Sequence, residues 1–134
     1  MLREIFDIQE GDEASLKTIL HYPFRDAIRK RQENYRYLLE HLPERSDIRP
    51  VFPYLSDDIC PMFFPFFVEN RDALIKHLAD RHIPPKVYWP VPPFVKVEGY
   101  PGAQYIYSHI MSVSCDERFN TDDMQKIVEA FENY

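Results

Sequence analysis

Met62-Phe-Phe-Pro-Phe-Phe-Val-Glu69, followed by Asn70-Arg71-Asp72, decides the fold of this chain. Phe63, Phe64, Phe66 and Phe67 place bulky apolar groups at both odd and even positions. A strand here therefore offers an apolar surface on each side. Pro65 has no N–H to donate and predicts an edge position or a bulge. Asn70 predicts a cap for a helix over 73–81, with Leu74, Ile75 and Leu78 facing inward. A strand with two apolar faces needs two covers, and the helices of a 134-residue chain supply one. The second falls to loop aromatics such as Trp89, Phe94, Tyr100 and Tyr105, or to a domain or subunit outside this chain. Both readings stand, and a surface left partly open would bind something.

Upstream, residues 1–14 read as irregular and 15–20 as a short helical turn. Pro23 suits the first turn of a long helix over 24–42. Phe24, Ala27, Ile28, Tyr35, Leu38, Leu39 and Leu42 give that helix one apolar face at three-and-four spacing. Pro43 ends it. Residues 47–53 read as extended, and Ser56-Asp57-Asp58 as a turn. Downstream, 86–89 reads as a short strand and 90–102 as a proline-rich loop. A short helix over 103–109, a strand over 110–114 and a final helix capped by Asn120 or Thr121 complete the order. Met124, Ile127, Val128 and Phe131 form the inner face of that last helix. The fold class is α+β: a small, mainly antiparallel sheet with helices packed on one face, in a single domain over 15–134.

The formal net charge is -6, which argues against a nucleic-acid surface. Arg25, Arg29, Lys30, Arg31 and Arg36 are interleaved with Asp26 and Glu33, as on a solvated helix face. No apolar run is long enough to span a membrane. The first residues are too charged for a signal peptide, so a reduced, cytoplasmic setting is expected. Cys60 and Cys115 lack CxxC spacing, and the five histidines read as surface or capping residues, so no metal site is expected. Asp57-Asp58 reads as a turn, and Asp122-Asp123 as first-turn carboxylates that complement a helix dipole. Ser112 and Ser114 read as exposed strand positions. No phosphate-cradling glycine loop or nucleophile elbow is present.

Five stretches in order resemble one family. Arg31-Gln-Glu-Asn34-Tyr35-Arg-Tyr-Leu38-Leu39 is similar to the R-x-x-N-y-x-x-L helix of the DegT/DnrJ/StrS-type sugar aminotransferases. The strand leading into Arg71-Asp72-Ala-Leu74, and then Leu78 to Ile83, resembles the family's R-d-x-L and L-x-x-x-x-I. Val87-Tyr88-Trp89-Pro90 resembles its v-x-W-P strand end. Ile110-Met-Ser-Val-Ser-Cys115-Asp116-Glu-Arg118-Phe119 resembles i-l-s-l-P-x-D-x-R-y, with Ser114 in place of the usual proline. Asp123-Met124 and Ile127-Val128 resemble D-M-x-x-I-v.

The resemblance implies the small C-terminal domain of a fold-type I aminotransferase acting on nucleotide sugars for polysaccharide biosynthesis. It implies pyridoxal 5′-phosphate for the parent family, held on a lysine of a large domain. Within this chain no catalytic or cofactor-binding residue is expected, because none of Lys17, Lys30, Lys76, Lys86, Lys96 and Lys126 sits in a glycine- or serine-rich turn after a strand. Tyr88, Trp89 and Arg118 are the substrate-side candidates. Trp89 has a core role as its alternative, and Arg118 an ion pair with Asp116. The partner implied is the large aminotransferase domain or a second copy. The other reading is a binding or assembly module that complements a partner chain or self-associates.

Overall fold

The structure, a computed structural model, describes residues 11–88 and 90–134. The expected irregular start thus lies mostly outside the described residues, and so does Trp89. The elements in order are α1 (Glu13–His21), α2 (Phe24–His41), β1 (Ile48–Pro50), β2 (Phe64–Val68), α3 (Arg71–Ala79), α4 (Pro101–His109), β3 (Ile110–Val113) and α5 (Thr121–Glu132). The strands form one antiparallel sheet in the order β1-β2-β3.

Register fixes which side chains share a face. Val68 lies opposite Ile48, Phe66 opposite Met111, and Phe64 opposite Val113. All six are buried on the face covered by α2, α3 and α5. Tyr35 of α2 tilts against Phe64 with centroids 4.8 Å apart, and Phe131 of α5 meets Phe66 edge-on at 5.2 Å. Leu38, Leu74, Leu78, Met124, Ile127 and Val128 fill the space between. The residues of alternate parity, Pro65, Phe67 and Ser112, face the other way. There α4 lies over part of the sheet, with Tyr105 against Phe67 at 5.4 Å.

Local chemistry explains the helix ends. Asn120 accepts from the N–H groups of Asp122 and Asp123, while Asp123 accepts from the Asn120 N–H, a reciprocal capping box. Asn70 accepts from Ala73 N–H at 3.3 Å. At the other end of α3, Ile83 N–H reaches the Leu78 carbonyl at 3.0 Å, and His82 N–H reaches Ala79 at 2.9 Å. His82 takes the left-handed conformation there, with φ 59°. This is a Schellman ending, which normally carries an apolar contact between its outer residues. Leu78 and Ile83, the L-x-x-x-x-I spacing, are those residues, and both pack into the core. His21, His41 and His109 each bond the carbonyl four residues earlier, as capping histidines do.

Three expectations need correction. Pro65 lies in the central strand rather than at an edge or bulge. Its carbonyl accepts from Val51 N–H at 3.0 Å, just beyond β1. A strand residue directs N and C=O to the same side, so the missing donor points past the short β1 and the β3 ladder loses nothing. The strand expected over 86–89 shrinks to one bridge, in which Lys86 and Ser112 exchange N–H···O bonds at 2.9 Å. Pro84, Pro85 and Pro90 flank it and supply no donors. Ser112 is buried, because that bridge and β2 enclose it on both sides.

Candidate functional site

The motif residues converge on the turn after β3. From α2, the Asn34 amide nitrogen donates to the carbonyls of Asp116 at 3.1 Å and Phe119 at 3.0 Å, and more distantly to Cys115. One turn earlier, Arg31 pairs with Glu117 at 2.5 Å and also donates to the Pro61 carbonyl. Tyr22 donates its hydroxyl to the same Glu117 at 2.8 Å. Arg118 grips Asp116 side-on, through Nε and Nη2, each at 2.8 Å. Those hydrogen bonds hold the Asp116 carboxyl below its usual range despite burial. Burial pushes the neighbouring Cys115 thiol up to about 12. Arg71, from the second motif, donates to the carbonyls of Tyr107 and Ile110 and so fastens the end of α4 to α3.

Tyr88 stands elsewhere. The Lys86 bridge sets the segment against β3, and Tyr88, two residues on, stacks on Phe63 with centroids 4.5 Å apart. The two rings wall a hollow of about 310 Å³ on the second face of the sheet. Pro65 and Ser112 line it from the strands, Ile106 and Tyr107 from α4. A second hollow, of about 610 Å³, shares Phe63 and Pro65 and opens among residues 52–62. Phe52, Tyr54, Ile59 and Met62 are exposed around it. The Tyr88 hollow is largely apolar, with Tyr88, Tyr107 and Ser112 as its hydroxyl-bearing residues. Among the described residues, none lining it is an acid, a histidine or a cysteine.

The sequence candidates are therefore separated. Tyr88 lines the hollow; Arg118 is engaged by Asp116 and does not line it; Trp89 lies outside the described residues. Phe63, Ile106 and Ser112 were missed as lining residues. The run of phenylalanines marked Phe63, but nothing local marked α4 as the opposite wall. Of the loop aromatics expected over the second face, Tyr105 covers it, whereas Phe94 and Tyr100 stand exposed. The basic cluster on α2 is spent largely on ion pairs: Arg29 with Asp26 and Glu33, Arg31 with Glu117, and Arg36 with Asp57. Among the described residues, no three metal-ligating side chains gather and no helix is long and apolar enough to cross a membrane.

A model of the DegT/DnrJ/EryC1/StrS aminotransferase family matches residues 20–132. The chain is 25% identical over 120 residues to the dTDP-3-amino-3,6-dideoxy-alpha-D-galactopyranose transaminase of Aneurinibacillus thermoaerophilus, covering 81% of this chain and 32% of that protein. Among solved structures, S. venezuelae DesV in complex with a ketimine intermediate aligns with TM-score 0.76 at 22% identity, over 90% of this chain and 34% of that one. The sugar aminotransferase CalS13 from Micromonospora echinospora aligns with TM-score 0.73 at 16% identity, over 88% and 33%. These two share the fold. The chain spans about a third of the length of each relative.

The described residues do not by themselves fit the pyridoxal group that such enzymes use. Lys17, Lys76, Lys96 and Lys126 are exposed, and Lys30 and Lys86 half-buried. A Schiff-base lysine needs desolvation or a cationic neighbour to lower its pKa, and Lys126 instead pairs with Asp123 at 2.9 Å, which raises it.

Proposed function

The chain belongs to the DegT/DnrJ/EryC1/StrS aminotransferase family, and from that premise we propose that it is the small, C-terminal domain of a nucleotide-sugar aminotransferase. It forms one wall of a substrate cleft whose lysine-bearing, pyridoxal-binding half lies in a larger domain. The observation that carries this reading is the extent of the likeness: 81% and 90% of this chain align with only about a third of the relatives concerned. The placement of all six lysines on partly or fully open surface supports the same division. The chain alone then catalyses no amino transfer. A cytoplasmic setting suits the free thiols of Cys60 and Cys115.

In this reading Tyr88 faces substrate from the small-domain side, with Phe63 as its backing ring and Ile106 opposite. Trp89, the next residue of the same motif, is the second substrate-side candidate. Arg118 contributes by holding the 116–119 turn, and its largely open side chain leaves it accessible to an anion outside the Tyr88 hollow. The apolar surroundings of the 52–62 hollow supply the seat for the larger domain.

The coding sequence flanking this chain tests the assignment. A lysine-bearing aminotransferase domain, in frame or in a neighbouring frame, is the expected finding. Flanking genes without such a domain, together with a saturable pyridoxal adduct on one lysine of this chain, would overturn it.

A further inference from the structure

Helices α3 and α4 are both nine residues long, and their anchoring differs. A helix of that length holds in water only through what packs against it. Helix α3 has the Asn70 cap and buries Leu74 and Leu78. Helix α4 has no side-chain cap and no buried residue. Its two ends are also unequal. At the C-terminal end the Ile110 N–H bonds the Ile106 carbonyl, and Ile110 is itself the first residue of β3, paired with Phe67. Arg71 adds its bonds to the Tyr107 and Ile110 carbonyls, and His109 stands 3.7 Å from Glu69. The N-terminal end hangs from the proline-rich loop, where the exposed Tyr100 closes a turn onto the Val97 carbonyl at 3.0 Å. Between the ends, Tyr105 ties α4 to the sheet. Its ring lies against Phe67, and its hydroxyl accepts from Arg49 Nη2 at 3.2 Å. The Arg49 guanidinium lies over the same Phe67 ring, 5.6 Å from its centroid.

We propose that the N-terminal half of α4 is a flap over the Tyr88 hollow, hinged at 107–110 and latched by Tyr105 on Phe67 and Arg49. Hinges lie where an element ends and a few dihedrals absorb the change, and the junction of α4 with β3 is such a place. Segments with few buried apolar contacts open at a lower free energy than the whole fold. The latch is adjacent in sequence to Ile106, which walls the hollow together with Phe63 and Tyr88. Lifting Tyr105 from Phe67 therefore carries Ile106 off the hollow and opens Ser112, a buried lining residue, to solvent. Arg49 is exposed, so the latch breaks at the surface and leaves the core packing on the other face of the sheet in place. That this hollow faces substrate rests on the aminotransferase reading; the motion of its wall does not.

Native-state hydrogen exchange of the full chain, resolved by NMR, tests the motion alone. Amides 104–108 of α4 should exchange about a hundredfold faster than amides 75–78 of α3, yet slower than a free coil. Tyr105→Phe removes the acceptor for Arg49 and keeps the ring. It should speed α4 exchange about threefold and leave α3 unchanged. Tyr105→Ala removes the ring as well and should speed α4 about tenfold or more. In a Cys60→Ser background, the thiol of Ser112→Cys reports on the hollow itself: its reaction with an aromatic disulfide reagent should accelerate by the same factors. Should Tyr105→Ala unfold the chain, Tyr105→Phe alone carries both readouts. Exchange in α4 as slow as in α3, α4 amides with no protection, Tyr105 variants that speed both helices equally, or a thiol at position 112 indifferent to Tyr105 would overturn the proposal.

Discussion

Asn34 donates its side-chain amide to the carbonyl of Phe119 at 3.0 Å, across 85 positions of sequence. Asn34 is fully buried, and the same nitrogen also serves Asp116 and Cys115. One side chain thus ties the long helix to the turn that leads into the last one. Asn34→Ala removes the donor and leaves buried carbonyls unpaired, which should cost about 2–3 kcal/mol in urea unfolding. A loss within a few tenths of a kcal/mol would show that the turn holds without it.

Asp116 gives the account its pH dependence. Its hydrogen bonds from Arg118 hold its pKa below the ordinary 3.8. A carboxylate depressed on folding stabilises the fold above the ordinary carboxyl range, and that contribution fades as the pH falls through the depressed pKa. Urea midpoints of the native chain and Asp116→Asn should therefore differ at neutral pH and converge in acid. A gap independent of pH would contradict the pairing.

The two thiols should differ in reactivity. Cys60 is exposed, whereas Cys115 is buried with its pKa pushed up to about 12. An aromatic disulfide reagent should titrate one thiol per folded chain and two in denaturant. Rapid modification of both in the native state would contradict the packing around Cys115.

His82 occupies the left-handed position of the Schellman ending, where glycine is the least strained residue. His82→Gly should raise stability by about 0.5–1 kcal/mol, read as a higher thermal midpoint. A fall would mean that the imidazole makes a stabilising contact that outweighs the strain.

Much of the fold was legible because apolar periodicity and cap residues are local signals. The inner faces of α2 and α5, the Asn70 and Asn120 caps and the strand around Phe66 all follow from spacing. What failed depended on partners distant in sequence. Pro65 reads as an edge residue until the end of β1 is known, since only then does its missing donor point at nothing. Ser112 reads as exposed until Lys86, 26 positions away, is seen bridged to it. The site was legible in part. Tyr88 came from a motif, but its stacking on Phe63 and the wall formed by α4 are tertiary facts. The family-motif residues Arg31, Asn34 and Arg71 proved to be cross-ties between elements, and Asp116 a local ion pair with Arg118 within its turn.

The central claim is that this chain shapes a cleft whose reactive half lies elsewhere. Turnover of glutamate and a keto-sugar nucleotide by the isolated chain, with pyridoxal 5′-phosphate added, tests it most directly. The predicted result is no amino transfer above the rate of free cofactor. Saturable turnover that disappears when a single one of the six lysines is replaced would contradict it.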